Sequence, residues 1–258
     1  MKKIDISILI TNYNKSKFLK KTIKSCLNQN FKNKEILVFD DCSTDDSLKI
    51  LRKFKQIKFI KNYSKKFKDS PLNQIYGVIE LFKKSKGNII FLLDGDDQYK
   101  KDKIKIIYKE FIDNKNLNYI QDKPYLTEKK RYMLLKKKSH LFSIWPSFYP
   151  TSCMTLKRSF FKNFLKFIEK NKFPNLEIDA RIAMYAYLKS DSVLFNKNLT
   201  VYNYDEHGIT SNYKKYYKNW WKKRNEAFDY LKLLKKKMNN NYKRGPDFYI
   251  TKFINLFI

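Results

Sequence analysis

Short apolar runs alternate with helical periods over the first hundred residues, and this alternation constrains the fold more than any other feature of the sequence. The apolar runs have the length of buried strands and lie at 4–10, 35–39, 57–60 and 88–93. Between them, apolar residues recur at helical spacing at 16–28, 43–54 and 71–84. Ser43 and Asp46 have the spacing of a capping box and predict the start of the second helix. Strands joined by crossover helices pair in parallel, so the pattern predicts an α/β fold with a mostly parallel central sheet.

The second half of the sequence is less regular. Its patterns predict a helix at 102–112, a strand at 152–156, helices at 159–169 and 176–188, and short strands at 193–195 and 199–204. The basic, aromatic stretch at 124–149 has no clear period and receives no assignment. An amphipathic helix with many lysines is predicted from Tyr213 to Met238.

The formal net charge of +31 has two explanations. It can reflect attraction to phosphate-rich partners, such as an anionic membrane, a nucleic acid or a charged substrate. It can also follow from an A/T-rich genome, because Lys, Asn, Ile, Phe and Tyr are abundant while Gly and Pro are scarce. The lysines are spread along every segment and no nucleic-acid-binding motif is present, so a nucleic-acid partner is not predicted.

The cysteines and the apolar stretches indicate the cellular compartment of the protein. Cys26, Cys42 and Cys153 lie far apart, without the spacing of a zinc site or the density of a disulfide scaffold. No stretch approaches the roughly 20 apolar residues that span a bilayer, and the first residues lack the features of a signal peptide. We predict a cytoplasmic protein, soluble or peripheral at the inner face of the membrane.

Three carboxylates follow the predicted strand at 88–93. Asp94 and Asp96 flank Gly95, and Asp97 comes next. Two carboxylates one residue apart can reach one hard cation from a single tight turn, and without a cation they repel each other. The turn therefore predicts a divalent metal site. The alternative is that these aspartates cap neighbouring backbone amides, as aspartates in turns often do.

Polar residues also follow the first two predicted strands. Thr11 and Tyr13 follow the first strand, and Asp40 and Asp41 follow the second. Ligands of open α/β sheets bind beyond the carboxyl ends of the strands, so these residues are predicted to share one crevice with the acidic turn. The aspartates can accept hydrogen bonds from a base or ribose, and Tyr13 can stack on a base. Alternatively, either aspartate caps the helix that follows.

Three segments together resemble the family 2 glycosyltransferases of the GT-A fold. They are SILITNYNKSKFLKKTIKSCLNQNF at 7–31, KEILVFDDCSTDDS at 34–47 and KGNIIFLLDGDD at 86–97. The resemblance covers the first hundred residues and, more faintly, 151–211. It implies a Rossmann-like sheet, a nucleotide-sugar donor and an inverting transfer in one displacement, with a base that removes a proton from the acceptor hydroxyl.

The resemblance also implies roles for the matching residues. Asp94 and Asp96 correspond to the metal-binding DxD motif, which would hold Mn²⁺ or Mg²⁺. The positions that contact the nucleoside, with uridine as the expected base, are Thr11, Tyr13, Asp40 and Asp41.

The family's catalytic base lies on a helix in the second half, and LEIDARIAMYAYLKS at 176–190 resembles that region. The match places Asp179 in the base position. Ile178 replaces the usual preceding acid, so Glu177 stays open as the alternative base. A third possibility is that Asp179 is an ordinary carboxylate at a helix N-terminus.

Two further positions follow from the comparison with the family. His207 resembles a histidine that approaches the metal or the diphosphate, and it could equally be a surface histidine in a turn. Members of the family commonly carry Arg and Asn where this chain has Val78 and Ile79. The donor diphosphate is therefore expected to contact the loop lysines Lys65, Lys66 and Lys68 instead.

These assignments predict a GT-A domain at 1–211, with a nucleotide-binding half at 1–100 and an acceptor-binding half at 101–211, and a basic helical extension at 212–258. The acceptor is expected to be a hydroxyl of a surface glycan, lipopolysaccharide, capsule or lipid-linked glycan. The extension either lies on an anionic membrane or packs on the domain. The alternative function is a non-catalytic nucleic-acid- or glycan-binding protein on a transferase-like fold.

Overall fold

The computed structural model describes residues 4–135, 146–189, 192–206, 208–239 and 244–258. The strands within these ranges are β1 (Ile6–Asn12), β2 (Lys34–Asp41), β3 (Lys58–Asn62), β4 (Ile89–Asp94), β5 (Gln98–Tyr99), β6 (Tyr119–Leu126), β7 (Arg131–Tyr132), β8 (Met154–Lys157) and β9 (Ser192–Tyr202). The α-helices are α1 (Ser16–Leu27), α2 (Ser47–Arg52), α3 (Ser70–Lys84), α4 (Lys103–Asp113), α5 (Arg158–Phe164), α6 (Ile178–Lys189), α7 (Lys218–Lys237) and α8 (Pro246–Ile254).

The first four long strands form the parallel part of one sheet, in the order β3, β2, β1, β4. In this register Asn12 lies beside Asp40, and Thr11 lies beside Asp94. Because the strands run in the same direction, their carboxyl ends meet at one edge of the sheet. The predicted α/β fold is confirmed, and the polar residues after β1, β2 and β4 lie at one edge of the sheet, as predicted.

Helices cover both faces of this sheet. Alternate residues of β1 enter different cores, since Leu9 packs with buried side chains of α3, α5, α6 and α7, while Ile8 and Ile10 pack with those of α1, α2 and α4. A parallel sheet buried on both faces requires strands that are apolar at successive positions. This requirement explains the continuous apolar runs that predict the strands.

The second half extends the sheet beyond β4 with β8, β6, β9 and β5. β8 runs antiparallel to both β4 and β6, whereas β9 runs parallel to β6. The sequence analysis predicts neither β5 nor β6, and it divides β9 into two short strands. β6 contains the buried polar residues Gln121 and Asp122, and the pairing with β9 is irregular between Asp122 and Pro124. These residues interrupt the apolar alternation that marks a strand.

Some predicted helix ends are wrong. Ser43 and Asp46 do not form a capping box: α2 begins at Ser47, and the Ser43 hydroxyl donates to Asp40 at 2.7 Å. α5 ends at Phe164, earlier than the predicted end at 169, and Glu169 itself has a left-handed backbone (φ 52°). A residue with positive φ cannot continue a right-handed helix.

The predicted C-terminal helix starts later than expected, at Lys218. Tyr216 has φ 69°, which excludes it from the helix. Four residues on one side of α7, Ala227, Tyr230, Leu231 and Leu234, belong to the core shared with α3 and α6. The packing alternative is therefore confirmed for this helix, while the domain boundary at 211 stays a prediction. Within the described part of the chain, no helix is both long and apolar enough to cross a membrane.

Candidate active site

A cavity of about 490 Å³ lies at the carboxyl edge of the parallel strands. Its lining includes six of the predicted site residues, Thr11, Tyr13, Asp41, Asp94, Asp96 and Asp179. Asp40 does not line the cavity, and the prediction for His207 lies outside the described residues. Residues of both halves of the chain thus meet at one site.

Asp94 is the last residue of β4 and faces neighbours on two elements. Its Oδ1 accepts hydrogen bonds from Thr11 Oγ1 at 3.1 Å and from Gln74 Nε2 at 2.8 Å. Burial, together with the charge of Asp96, raises the pKa of Asp94 to about 6. The two hydrogen bonds hold the carboxylate in place, and a cation close to it would stabilise its ionised form.

The glycine between the two aspartates is required by a close backbone approach. The amide of Gly95 donates to the carbonyl oxygen of Thr11 at 2.8 Å. A Cβ at position 95 would lie 2.7 Å from Asn12 Oδ1 and 3.1 Å from the Thr11 carbonyl oxygen. Only a residue without a side chain lets the acidic turn lie against the end of β1.

Asp97 and Asn203 fix the other side of the turn. Asp97 is fully buried, and its Oδ1 accepts the backbone amide of Asn203 at 2.9 Å. The Asn203 side chain donates to the carbonyl oxygen of Asp96 at 2.6 Å. The segment after β9 therefore holds the turn in place, and Asp97 has a structural role.

Lys15 supplies a positive charge at the acidic turn. Its Nζ lies 2.7 Å from Asp96 Oδ2 and also forms an ion pair with Asp205. Burial acts to lower the pKa of Lys15, but the two carboxylates outweigh this effect and raise the pKa above its ordinary value. All three side chains line the cavity.

Asp40 organises the loops behind the cavity wall. It is fully buried, and its Oδ1 accepts hydrogen bonds from Asn12 Nδ2 and from Ser43 Oγ, both at 2.7 Å. The Ser43 hydroxyl in turn accepts the amide of Asn14 at 2.9 Å. Asp40 thus connects the end of β2 to the loop after β1 and does not reach the cavity surface.

Asp41, Tyr13 and Lys65 all line the cavity. Asp41 accepts a hydrogen bond from Asn62 Nδ2 at 2.8 Å. Tyr13 is 41% exposed, and Lys65 Nζ lies 3.6 Å from the centre of its ring. Of the three loop lysines in the prediction, Lys65 lines the cavity, whereas Lys66 and Lys68 are not among the lining residues.

Glu177 and Asp179, an acidic pair from the second half of the chain, also line the cavity. Glu177 is buried and ion-paired with Lys223 of α7. Asp179 lies in the first turn of α6, and its Oδ1 accepts the backbone amide of Ala180 at 2.6 Å. Burial raises the pKa of Asp179 above its ordinary value, the charge of Glu177 adds to this rise, and Lys223 opposes it.

Several lining residues escape the sequence analysis, namely Lys15, Gln74, Asn203, Asp205 and Lys214. Gln74 lies on α3, and its bond to Asp94 spans 20 residues of sequence. Lys15 and Asp205 are separated by 190 residues. No local spacing signals such contacts, although Lys15 itself lies within the segment at 7–31 that resembles the family.

The family assignment follows from a match between this chain and a protein-family model. Residues 7–176 match the model described as glycosyl transferase family 2. The chain belongs to this family. The match extends from β1 to the residue before Glu177, so it includes the acidic turn and ends close to the second acidic pair.

Two curated relatives and one solved structure illustrate the similarity. An uncharacterized glycosyltransferase of Rickettsia conorii is 35% identical over 138 residues, which are 54% of this chain and 22% of that protein. The UDP-Glc:alpha-D-GlcNAc-diphosphoundecaprenol beta-1,3-glucosyltransferase WfaP of Escherichia coli is 35% identical over 38% of each chain. Staphylococcus aureus TarS 1-349, in a complex with UDP, superposes with a TM-score of 0.65 at 15% identity, covering 97% of this chain and 69% of that one. TarS therefore supports the GT-A fold alone.

The acidic turn has the chemistry of a site for a hard cation. Asp96 and Asp205 already bind one cationic group, the ammonium of Lys15, through carboxylate oxygens. Carboxylates are the ligands that Mg²⁺ uses in such sites, where substrate phosphates complete the coordination. Among the residues that the structure describes, no three His, Cys, Asp or Glu side chains form a complete metal site. Substrate phosphates or water molecules would complete the coordination of a divalent cation at this turn.

Proposed function

We propose that this protein transfers a sugar from a nucleotide-diphosphate donor, with uridine as the base, to a hydroxyl group of a cell-envelope glycan. The observation that carries the proposal is that one cavity brings together Asp41, the acidic turn at Asp94 and Asp96, and the acidic pair at Glu177 and Asp179. A transfer reaction needs a donor site and a base that face the same space.

The donor nucleoside lies between Asp41 and Tyr13 in this proposal. Asp41 accepts hydrogen bonds from the base or ribose, and the exposed ring of Tyr13 stacks on the base. Lys65, which already lies over the Tyr13 ring, contacts the negatively charged part of the donor. Asp40 shapes the loop from inside and makes no donor contact, because Asn12 and Ser43 occupy it. The Escherichia coli relative has UDP-Glc in its name, which supports uridine as the nucleoside of the donor.

Asp179 is the catalytic base in this proposal. Its raised pKa suits a group that accepts a proton near neutral pH. Glu177 is less suited to the role, since its carboxylate is engaged by Lys223. As the acceptor oxygen attacks the anomeric carbon, Asp179 takes the hydroxyl proton and the bond to the nucleoside diphosphate breaks. One displacement inverts the anomeric centre without a covalent sugar intermediate.

A divalent cation, Mn²⁺ or Mg²⁺, would be held by Asp96 with Asp94 beside it. When bound, it would neutralise the charge that develops on the leaving diphosphate. The hydrogen bonds of Thr11 and Gln74 to Asp94 orient that carboxylate in advance. Groups that are oriented in advance stabilise developing charge most strongly where water is excluded.

The acceptor is proposed to be a lipid-linked glycan at an anionic membrane. The name of the Escherichia coli relative gives a diphosphoundecaprenol-linked acceptor. On α8 and the residues after it, five large apolar side chains are more than half exposed, namely Tyr249, Ile250, Phe253, Leu256 and Phe257. Apolar side chains on a strongly basic chain are suited to an anionic bilayer surface.

Flotation with liposomes tests the proposed membrane contact. Binding that does not require anionic lipid, or that persists in Phe253→Ser/Phe257→Ser, would contradict it.

Calorimetric titration with UDP, in Mn²⁺ and again in EDTA, tests the donor site. We expect binding in Mn²⁺ that weakens in EDTA and in Asp96→Asn, and that remains in Asp179→Asn. The Asp179 variant is the matched control, because its carboxylate lies on the acceptor side. Absence of binding to UDP, GDP, CDP and dTDP would contradict the proposal and favour a non-catalytic binding protein.

A further inference from the structure

The ammonium group of Lys15 lies between two carboxylates. Its Nζ lies 2.7 Å from Asp96 Oδ2 and forms a second ion pair with Asp205 Oδ2. The three side chains are 13–15% exposed, so the group is largely removed from water. Ion pairs in such surroundings are stronger than on an open surface. A charged group that is left there without its counter-charge destabilises the protein.

The three residues come from separate parts of the chain. Lys15 precedes α1, Asp96 belongs to the turn after β4, and Asp205 follows β9. The ammonium group therefore connects the first half of the chain to the segment after β9. Any group that displaces it from Asp96 also acts on the segment that carries Asp205.

The position of Lys15 conflicts with a divalent cation at the same turn. Asp96 Oδ2, the oxygen that bonds to the ammonium, is one of the oxygens that a hard cation would use. An ammonium group and a metal ion cannot both occupy this place. Without either of them, Asp96 and Asp205 would repel each other.

We propose that Lys15 is a tethered competitor of the divalent cation, and that Asp205 becomes a second carboxylate ligand of the cation when Lys15 withdraws. The inference rests on the proposed function only in placing a cation at the acidic turn. It adds a residue that the sequence analysis does not predict, Asp205, and gives Lys15 a role in the order of binding.

The donor diphosphate supplies the driving force for the exchange. In the absence of a nucleotide, the cation must displace Lys15 with no new partner for the ammonium group. A bound diphosphate offers Lys15 anionic oxygens in the same cavity. Binding of the cation and of the nucleotide is therefore coupled, and each strengthens the other by the same factor.

Binding of Mn²⁺, measured by electron paramagnetic resonance without nucleotide and then with UDP, tests this exchange. Without nucleotide, we expect Lys15→Met to bind Mn²⁺ about tenfold more tightly than the wild type, or tighter still, because no ammonium group competes for the carboxylates. Lys20→Met is the matched control: Lys20 is exposed on α1, and its replacement should leave Mn²⁺ affinity unchanged. Lys15→Met/Asp205→Asn should lose the gain.

UDP should strengthen Mn²⁺ binding more in the wild type than in Lys15→Met. Equal Mn²⁺ affinity of the wild type and Lys15→Met, both without nucleotide, would overturn the inference, as would a double variant that keeps the gain. Binding of UDP in EDTA that disappears in Lys15→Met, and that Mn²⁺ does not restore, would instead make Lys15 a permanent replacement for the metal. Thermal melting of each variant establishes that it is folded. Release of UDP from a UDP-sugar by the wild type tests the proposed function separately.

Discussion

The ammonium group of Lys223 on α7 is ion-paired with the carboxylate of Glu177, two residues before Asp179. The predicted C-terminal extension therefore contributes to the electrostatics of the acidic pair. Lys223 lowers the pKa of Asp179, whereas Glu177 raises it, so the two neighbours act in opposite directions on the proposed base.

Replacement of Lys223 should move the pH dependence of transfer. Asp179 must be deprotonated to act as a base, so activity falls as the pH drops below its raised pKa. Lys223→Met removes a nearby positive charge and should shift the acidic limb of the kcat/KM profile to higher pH, by about one pH unit. The control is Lys232→Met, at an exposed position on the same helix.

The opposite change should produce the opposite shift. Glu177→Gln removes the negative charge that raises the pKa of Asp179, so the acidic limb should move to lower pH while activity above neutral pH is kept. A complete loss of activity in Glu177→Gln at all pH values would make Glu177 the better candidate for the base. A profile that is unchanged in both variants would mean that the acidic limb does not report the titration of Asp179.

Gln74→Leu tests the orientation of Asp94. The bond from Gln74 Nε2 to Asp94 Oδ1 is 2.8 Å long and has a charged acceptor. Hydrogen bonds to charged groups contribute about 1.5–3 kcal/mol, so the affinity for UDP in Mn²⁺ should fall about tenfold or more. Gln56→Leu, at an exposed position outside the cavity, should have no effect on the titration. Unchanged affinity in Gln74→Leu would mean that Asp94 needs no support from α3.

Arg181 should be essential for stability. It is fully buried on α6, and its guanidinium donates to five carbonyl oxygens, those of Ile168, Glu169, Lys172, Phe173 and Leu176. Arg181→Met would leave several of these acceptors buried without a donor and should lower the free energy of unfolding by about 3 kcal/mol or more. Urea denaturation measures the loss. The exposed Arg52→Met should change the same free energy by less than about 0.5 kcal/mol.

The strands of the first half and the acidic turn are predictable because they depend on local patterns. β1, β2 and β4 are buried on both faces, which requires continuous apolar runs. Their common direction then places Thr11 and Asp94 at one edge, and no tertiary information beyond the parallel sheet is needed. The resemblance adds Asp179, whose own sequence context does not distinguish a base from a helix-terminal carboxylate.

The remaining features depend on partners distant in sequence. β6 escapes prediction because Asp122 is buried inside it, where Lys103 forms an ion pair with it at 2.6 Å and Thr200 donates to it at 2.7 Å. The competition between Lys15 and a cation depends on Asp205, 190 residues away. Such contacts become visible only when the two halves of the sheet are assembled.

Release of UDP from a UDP-sugar, in the presence of a diphosphoundecaprenol-linked acceptor, tests the central claim most directly. The wild type, Asp179→Asn and Glu177→Gln are compared at pH 8, each after its affinity for UDP has been measured. The account predicts that Asp179→Asn binds UDP as the wild type does but transfers at least about a hundredfold more slowly, whereas Glu177→Gln remains active. Wild-type transfer by Asp179→Asn would contradict the assignment of the base and the active site built around it.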